Sequence, residues 1–268
     1  MKLPKTRYKK KYTVDDLIYN FFANISGLTI FSFQFIKSLI VPPYEIKEIK
    51  KHMDELGVKT FPIVSLTGIV IGIVLTLQSM PIMEKFGASD FLPGMVAISV
   101  IRELGPMITA LIFAGRVSSG IGAELGSMRV TEQIDAMEVS AINPFKYLVV
   151  TRVTATTLIL PILTIYVIFI ALFGSYFSLI LSENMSFQYF TDTVLKAIKF
   201  GDFVPGVAKT ILFGYIIGIV GAYKGYTAEG GTEGVGKAST SSVVYASVLL
   251  LLVDVALVKI TLVLWPTI

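Results

Sequence analysis

The chain has 268 residues, 54% hydrophobic and 16% charged, with a formal net charge of +4 and a mean hydropathy of +0.74. Soluble domains carry about 25% charged residues, so these numbers exclude a single soluble core, a disordered chain, a collagen-like fibre and a disulfide scaffold. Cysteine is absent and histidine occurs once, at His52, which removes thiolate and histidine-rich metal sites and leaves an integral membrane protein with several spans.

Residues 1–13 are a basic tail, with six Lys/Arg within residues 2–11. Such a tail contacts anionic lipid or serves as an orientation signal. Residues 14–60 form the next unit. From Asp15 to Val41 an apolar stretch is interrupted by Asn20, Asn24, Ser26, Gln34, Lys37 and Ser38, several at helical three- or four-residue steps. That polarity predicts an amphipathic helix lying in the membrane interface, with Asp15 and Asp16 capping its start; a sixth span is the alternative.

Residues 61–268 hold five apolar runs of membrane length: 61–83, 91–114, 153–182, 204–223 and 243–264. Each must be helical, because an open strand leaves its backbone unsatisfied in lipid. The predicted fold is therefore all-α, with five transmembrane helices plus the N-terminal interfacial helix. Met80-Pro81 is expected to kink or end the first span. Gly68/Gly72 and Gly214/Gly218 form G-x-x-x-G pairs that allow close helix contact.

Charge sets the orientation. Residues 1–60, 115–152 and 224–242 carry 11, 4 and 2 Lys/Arg, a total of 17, against 3 in 84–90 and 183–202. The positive-inside rule puts the N-terminus in the cytoplasm and, after five spans, the C-terminus outside.

Arg102 and Glu103 fall in the middle of the second span, where a charge is costly unless paired or hydrated. Two readings stand for them: a polar patch facing a cavity or partner, and a structural lock between helices. The segment 115–152 is too long for a passive turn. Within it Val130 to Val139 reads as a short acidic helix, with Thr131 as cap and Asn143-Pro144 as stop. It suits docking to a soluble partner, and a solvated surface helix is the plain alternative. Gly231 to Ala238 nearly matches the phosphate loop G-x-x-x-x-G-K-[ST]. However, Ala238 lacks the magnesium-binding hydroxyl and the segment follows a span rather than a strand, so a flexible inner loop is expected. No nucleophile, base and orienting group stand together as an enzyme would need. Glu103, Asp254 and Lys259 leave an ion-coupled transporter as the competing reading, and a structural scaffold of the cell envelope as a third.

The stretch RELGPMITALIFAGR, followed by AELGSMRVTEQIDAMEVSAINPFKYLVVTR and by GYTAEGGTEGVGKASTSSVV, resembles the MlaE/YrbE permeases of MCE-associated lipid transporters of the ATP-binding cassette type. The resemblance runs from about residue 14 to the end and is densest over Arg102 to Arg152. It implies a homodimeric permease in a bacterial inner membrane, with no cofactor of its own and no nucleic-acid partner. ATP would be bound by a separate cytoplasmic ATPase, and a periplasmic MCE-domain protein would exchange phospholipid with it. By matching position, Leu75, Ile82, Met83, Phe86, Arg102, Glu103 and Leu104 would line the lipid cavity. Glu132, Gln133, Asp135, Met137 and Glu138 would sit on the coupling helix that engages the ATPase.

Overall fold

The structure is a computed structural model that describes residues 14–42 and 44–264, with side chains from residue 24 onward. The basic tail 1–13 and the side chains of Asp15 and Asp16 lie outside the described residues. The described residues contain helices and no strand. In chain order the helices are α1 (Val14–Ile40), α2 (Ile46–Lys85), α3 (Ser89–Val130), α4 (Gln133–Val139), α5 (Phe145–Glu183), α6 (Phe187–Ala197), α7 (Phe200–Tyr226) and α8 (Gly231–Leu264).

Five of these, α2, α3, α5, α7 and α8, are long and apolar enough to cross a membrane, and each contains one of the predicted apolar runs. The 40 residues of α2 span about 60 Å at about 1.5 Å per residue. That is twice the thickness of a hydrocarbon core of about 30 Å, so much of α2 stands outside the bilayer. Pro81 does not end it: the helix continues to Lys85 and stops at Phe86. A proline there costs one backbone hydrogen bond, and the flanking turns carry the helix through it.

The spans cross five times, so their ends fall into two sets. The starts of α2, α5 and α8 and the ends of α3 and α7 share the Lys/Arg-rich end. The turn at 86–88 and helix α6 mark the opposite end. Helix α1 stays at the basic end. Its Phe31 ring meets Phe145 and Tyr223 edge-on at 5.0 and 5.5 Å, and Asn24 accepts a 2.6 Å hydrogen bond from Lys224.

Small residues hold the bundle together. On α2 the buried positions Gly57, Thr60, Val64, Gly68, Gly72 and Thr76 form one stripe at three- and four-residue steps, facing α5. A Cβ at Gly72 would lie 1.8 Å from the Ala171 carbonyl oxygen, and one at Gly174 would lie 2.4 Å from that of Ile69. The Gly214/Gly218 pair of α7 approaches Thr156 of α5 equally closely, at 2.5 and 2.2 Å. Lipid tails are as apolar as leucine, so such contacts gain through dispersion and weak polar bonding rather than through expulsion of water. Thr76 and Ser175 add a buried hydroxyl pair at 2.7 Å across the α2–α5 contact. The outer faces carry large apolar side chains, including Leu66 on α2, Phe169 and Phe173 on α5, and Leu252 and Val255 on α8.

Helix α3 is wound wider in two places, with π turns at Val100–Leu104 and Ala114–Ser118. The first directly precedes Pro106. Proline has no N–H to give to the Arg102 carbonyl, so the i→i−4 ladder is already broken there, and the Gly105 N–H reaches back to Val100 instead.

Two inner loops differ from expectation. Val130 ends α3, Thr131 is its C-terminal cap, and Glu132 turns the chain in the left-handed region at φ 59°. The short helix therefore starts at Gln133 rather than Val130, and Thr131 caps the preceding helix rather than this one. The stretch from Gly231 is the first turn of α8 and not a flexible loop. There Lys237 pairs with Glu233 at 2.7 Å along the helix, which leaves no loop to wrap a phosphate.

Candidate functional site

Arg102 and Glu103 sit on the first π turn, about 20 Å along α3 from Ser89, and both are partnered. Arg102 reaches the first turn of α7, where its Nε donates to Asp202 Oδ1 at 2.6 Å and a second guanidinium nitrogen contacts the same oxygen. Asp202 is buried, and its other oxygen accepts from the Lys199 backbone N–H at 2.9 Å. Glu103 points elsewhere, as adjacent residues on a helix must. Lys209, two turns further along α7, donates to Glu103 at 2.7 Å and to Asp254 of α8 at 2.9 Å. Three helices are thus joined by two cations and three carboxylates. Lys209 and Asp254 are almost fully enclosed, with side chains 8% and 10% exposed, whereas Glu103 is 42% exposed.

Glu103 is open because a cavity of about 540 Å³ lies beside it. Leu75 of α2 lines it, with Ile98, Ser99, Arg102, Glu103 and Leu104 of α3, Pro205 and Lys209 of α7, and Val258 and Leu262 of α8. The volume falls within the range of small-ligand pockets, roughly 300–1,000 Å³, and the lining is of the usual kind, apolar with a few convergent polar groups. Of the seven expected cavity residues, Leu75, Arg102, Glu103 and Leu104 line it. Ile82, Met83 and Phe86 stand further along α2 toward the opposite end. Met83 packs into a core cluster with Leu92 and Val96, while Ile82 and Phe86 are exposed. Lys259, paired with Glu103 and Asp254 in the ion-coupled reading, is exposed on α8, and Lys209 takes the place expected for it.

Sequence reasoning missed Asp202 as the partner of Arg102, because it lies just outside the apolar run of the fourth span. A signal was present nonetheless: Asp202 and Lys209 are seven residues apart, which puts them on one face of a helix.

At the basic end a second, polar cavity of about 250 Å³ lies between α2, α3 and α5, lined by His52, Lys59, Arg116, Glu124 and Arg152. Arg152 is buried and pairs with Glu124 at 2.6 Å, and Arg116 donates to the buried Thr60 hydroxyl at 2.7 Å. These bonds tie the inner ends of the three helices together. Helix α4 follows in the chain. Ile134 anchors it in the core and Met137 packs partly beneath it, while Glu132, Gln133, Asp135 and Glu138 face solvent. Asp135 accepts from Arg129 at 2.6 Å. An exposed acidic helix on an apolar anchor is a handle that a soluble protein can grip from below. Among the described residues no group of His, Asp and Glu is arranged to hold a metal ion.

Five membrane-length helices, a partly apolar ion-paired cavity within them and a short presented helix between two spans define a multi-pass membrane permease. The family model described as Permease MlaE matches residues 49–260, and the chain belongs to that family. Over 232 residues it is 37% identical to a probable ABC transporter permease protein of Rickettsia typhi, covering 86% of this chain and 90% of that one. It is 33% identical over 211 residues to the intermembrane phospholipid transport system permease protein MlaE of Haemophilus influenzae, covering 78% and 81%. It is also 33% identical over 210 residues to the chloroplastic protein TRIGALACTOSYLDIACYLGLYCEROL 1 of Arabidopsis thaliana, covering 77% of this chain and 59% of that protein.

Proposed function

We propose that this chain is the permease subunit of an ABC-type transporter that moves phospholipid, or a related lipid, between a bacterial inner membrane and a periplasmic MCE-domain carrier. The observation that carries the reading is the cavity beside Glu103: apolar on Leu75, Val258 and Leu262, ionic on Arg102, Glu103 and Lys209. An amphiphile needs both surfaces. Each acyl methylene taken out of water is worth about 0.8 kcal/mol, and a headgroup needs charged partners already held in place. The names of the Rickettsia and Haemophilus relatives agree with this assignment.

In this reading the basic end faces the cytoplasm, as its Lys/Arg excess requires, and the C-terminus is periplasmic. Helix α1 lies in the inner interface. A separate ATPase binds ATP and grips α4 through Glu132, Gln133, Asp135, Met137 and Glu138; this chain performs no covalent chemistry and holds no cofactor. Two copies form the transporter, with exposed apolar faces of the spans available to meet one another. Closure of the ATPases pushes α4, the push enters α3 through the turn at Thr131 and Glu132, and α3 carries it to Arg102 and Glu103. Transport then follows from a difference in lipid affinity between two states of the cavity.

A tagged chain purified from native membranes in mild detergent tests the proposal. Mass spectrometry is expected to find an ATPase, an MCE-domain protein and bound phospholipid. A chain that comes out alone, even after crosslinking, refutes it. The enclosed Glu103–Lys209–Asp254 group favours a second reading, an ion-coupled transporter, because intramembrane carboxylates suit proton relays. That reading requires transport without ATP and a response to membrane potential.

A further inference from the structure

The cavity has a neighbour. Between α3 and α6, at the opposite end from the basic residues, runs a mostly apolar groove of about 560 Å³ lined by Phe91, Met95, Ile98, Thr193 and Lys196. Ile98 and Ser99 line both this groove and the ion-paired cavity, so the two spaces meet along one face of α3. Two contacts hold the groove's walls in place. A Cβ at Gly94 would come within 2.8 Å of the Ala197 Cβ, so the helices touch there. The Tyr189 hydroxyl bonds to Asp90, and that bond pushes the phenol above its ordinary range. The groove's own charges stand at its mouth, Asp90 on α3 and Lys196 on α6, while the side toward the cavity is apolar.

We propose that this groove is a second acyl-chain site, the passage by which a phospholipid moves between the outer-facing leaflet and the ion-paired cavity. The inference rests on the lipid-transport reading above. The page supports a lipid chain as occupant in two ways: the groove is continuous with a cavity of the same apolar character, and its charge is confined to the rim. A chain can slide along Phe91, Met95 and Ile98 with no polar group to desolvate, while Lys196 at the mouth offers an ammonium to a headgroup phosphate.

The test uses the permease with its partner subunits, reconstituted in vesicles of phosphatidylethanolamine and phosphatidylglycerol. The vesicles also contain a trace of phospholipid carrying a diazirine on one acyl chain. After illumination, peptide mass spectrometry is expected to find adducts on Met95 and Thr193 in the groove as well as on Leu75 and Leu262 in the cavity. Met95→Trp is expected to cut groove labelling about tenfold, the factor produced by losing the burial of about two methylene groups, and to slow lipid transfer. Met95→Leu should keep both. Adducts in the cavity with none in the groove, or wild-type transfer by Met95→Trp, overturn the passage and leave the transporter reading standing. Adducts in neither place overturn both.

Discussion

Lys209 is the residue whose removal tells most about the bundle. Its ammonium stands 2.7 Å from Glu103 and 2.9 Å from Asp254, with side-chain exposures of 8% for Lys209 and 10% for Asp254. Lys209→Met keeps the length and the apolar stem but leaves Asp254 buried without its cation. Breaking a buried ion pair from one side costs about 3–5 kcal/mol, because the remaining charge is stranded. Glu103, at 42% exposed, can turn to the water of the cavity, and its share is worth less than about 1 kcal/mol. The low end of the range is the better figure beside an open cavity, so the expected loss is about 3 kcal/mol, or a melting temperature lower by roughly 6–12 °C. The double variant Lys209→Met/Asp254→Leu removes both buried charges and should recover most of that loss. Thermal unfolding of purified protein in one detergent decides the matter. A single variant melting within a degree of wild type, or a double variant no better than the single, would refute the assignment of this pair as the buried lock.

Other substitutions follow from the same geometry. Gly72→Ala places a methyl 1.8 Å from the Ala171 carbonyl, while Gly68→Ala meets only movable side-chain atoms and a carbonyl at 3.3 Å or more. The first is expected to cost about 1–3 kcal/mol, the second much less, and melting curves should rank them so. Arg152→Met strands the network around a side chain 6% exposed, whereas Glu124→Gln changes one that is 55% exposed. The expected costs are about 3 and less than 1 kcal/mol, read from the same melts. Glu132→Gly relieves a left-handed backbone at φ 59° and should change stability by no more than about 1 kcal/mol. Charge reversal at Glu132 and Glu138 should leave the fold intact yet weaken ATPase binding and lipid transfer; unchanged capture of the ATPase on beads would count against α4 as the handle.

The spans were legible because lipid leaves the chain few choices: an apolar run of membrane length must be a helix. The glycine pairs were legible as close-contact motifs, and the structure uses both pairs so. The ion-paired site was half legible. Arg102 and Glu103 stood out as charges in an apolar run, but their partners come from α7 and α8, about a hundred residues or more away, and no local pattern names them. Asp202 was hidden at a helix start, where a carboxylate also reads as an ordinary N-terminal charge. Helix ends were read least well. Thr131 looks like a helix starter, and Gly231 to Gly236 looks like a loop, because local propensity is outweighed by packing. Gly234 lies so close to the Glu229 carbonyl that a Cβ there would sit at 1.9 Å. Helix α6 was missed, although Ser186 caps it and Phe187, Phe190, Val194 and Ala197 repeat at helical spacing.

The widened turns of α3 have a geometric consequence. A π turn holds one residue more than a regular turn, and each residue of an α-helix is worth about 100° of rotation. The turn at Val100–Leu104 therefore acts as an indexing step on a shaft: it sets the angle at which everything after it is presented. Removing a single residue there would leave α3 helical and apolar, yet would swing Arg116, Glu124 and the approach to α4 by a little over a quarter of a revolution. The basic-end network and the acidic handle would then face the wrong neighbours while hydropathy barely changed. In this protein the number of residues between the cavity and the handle carries as much information as their identity.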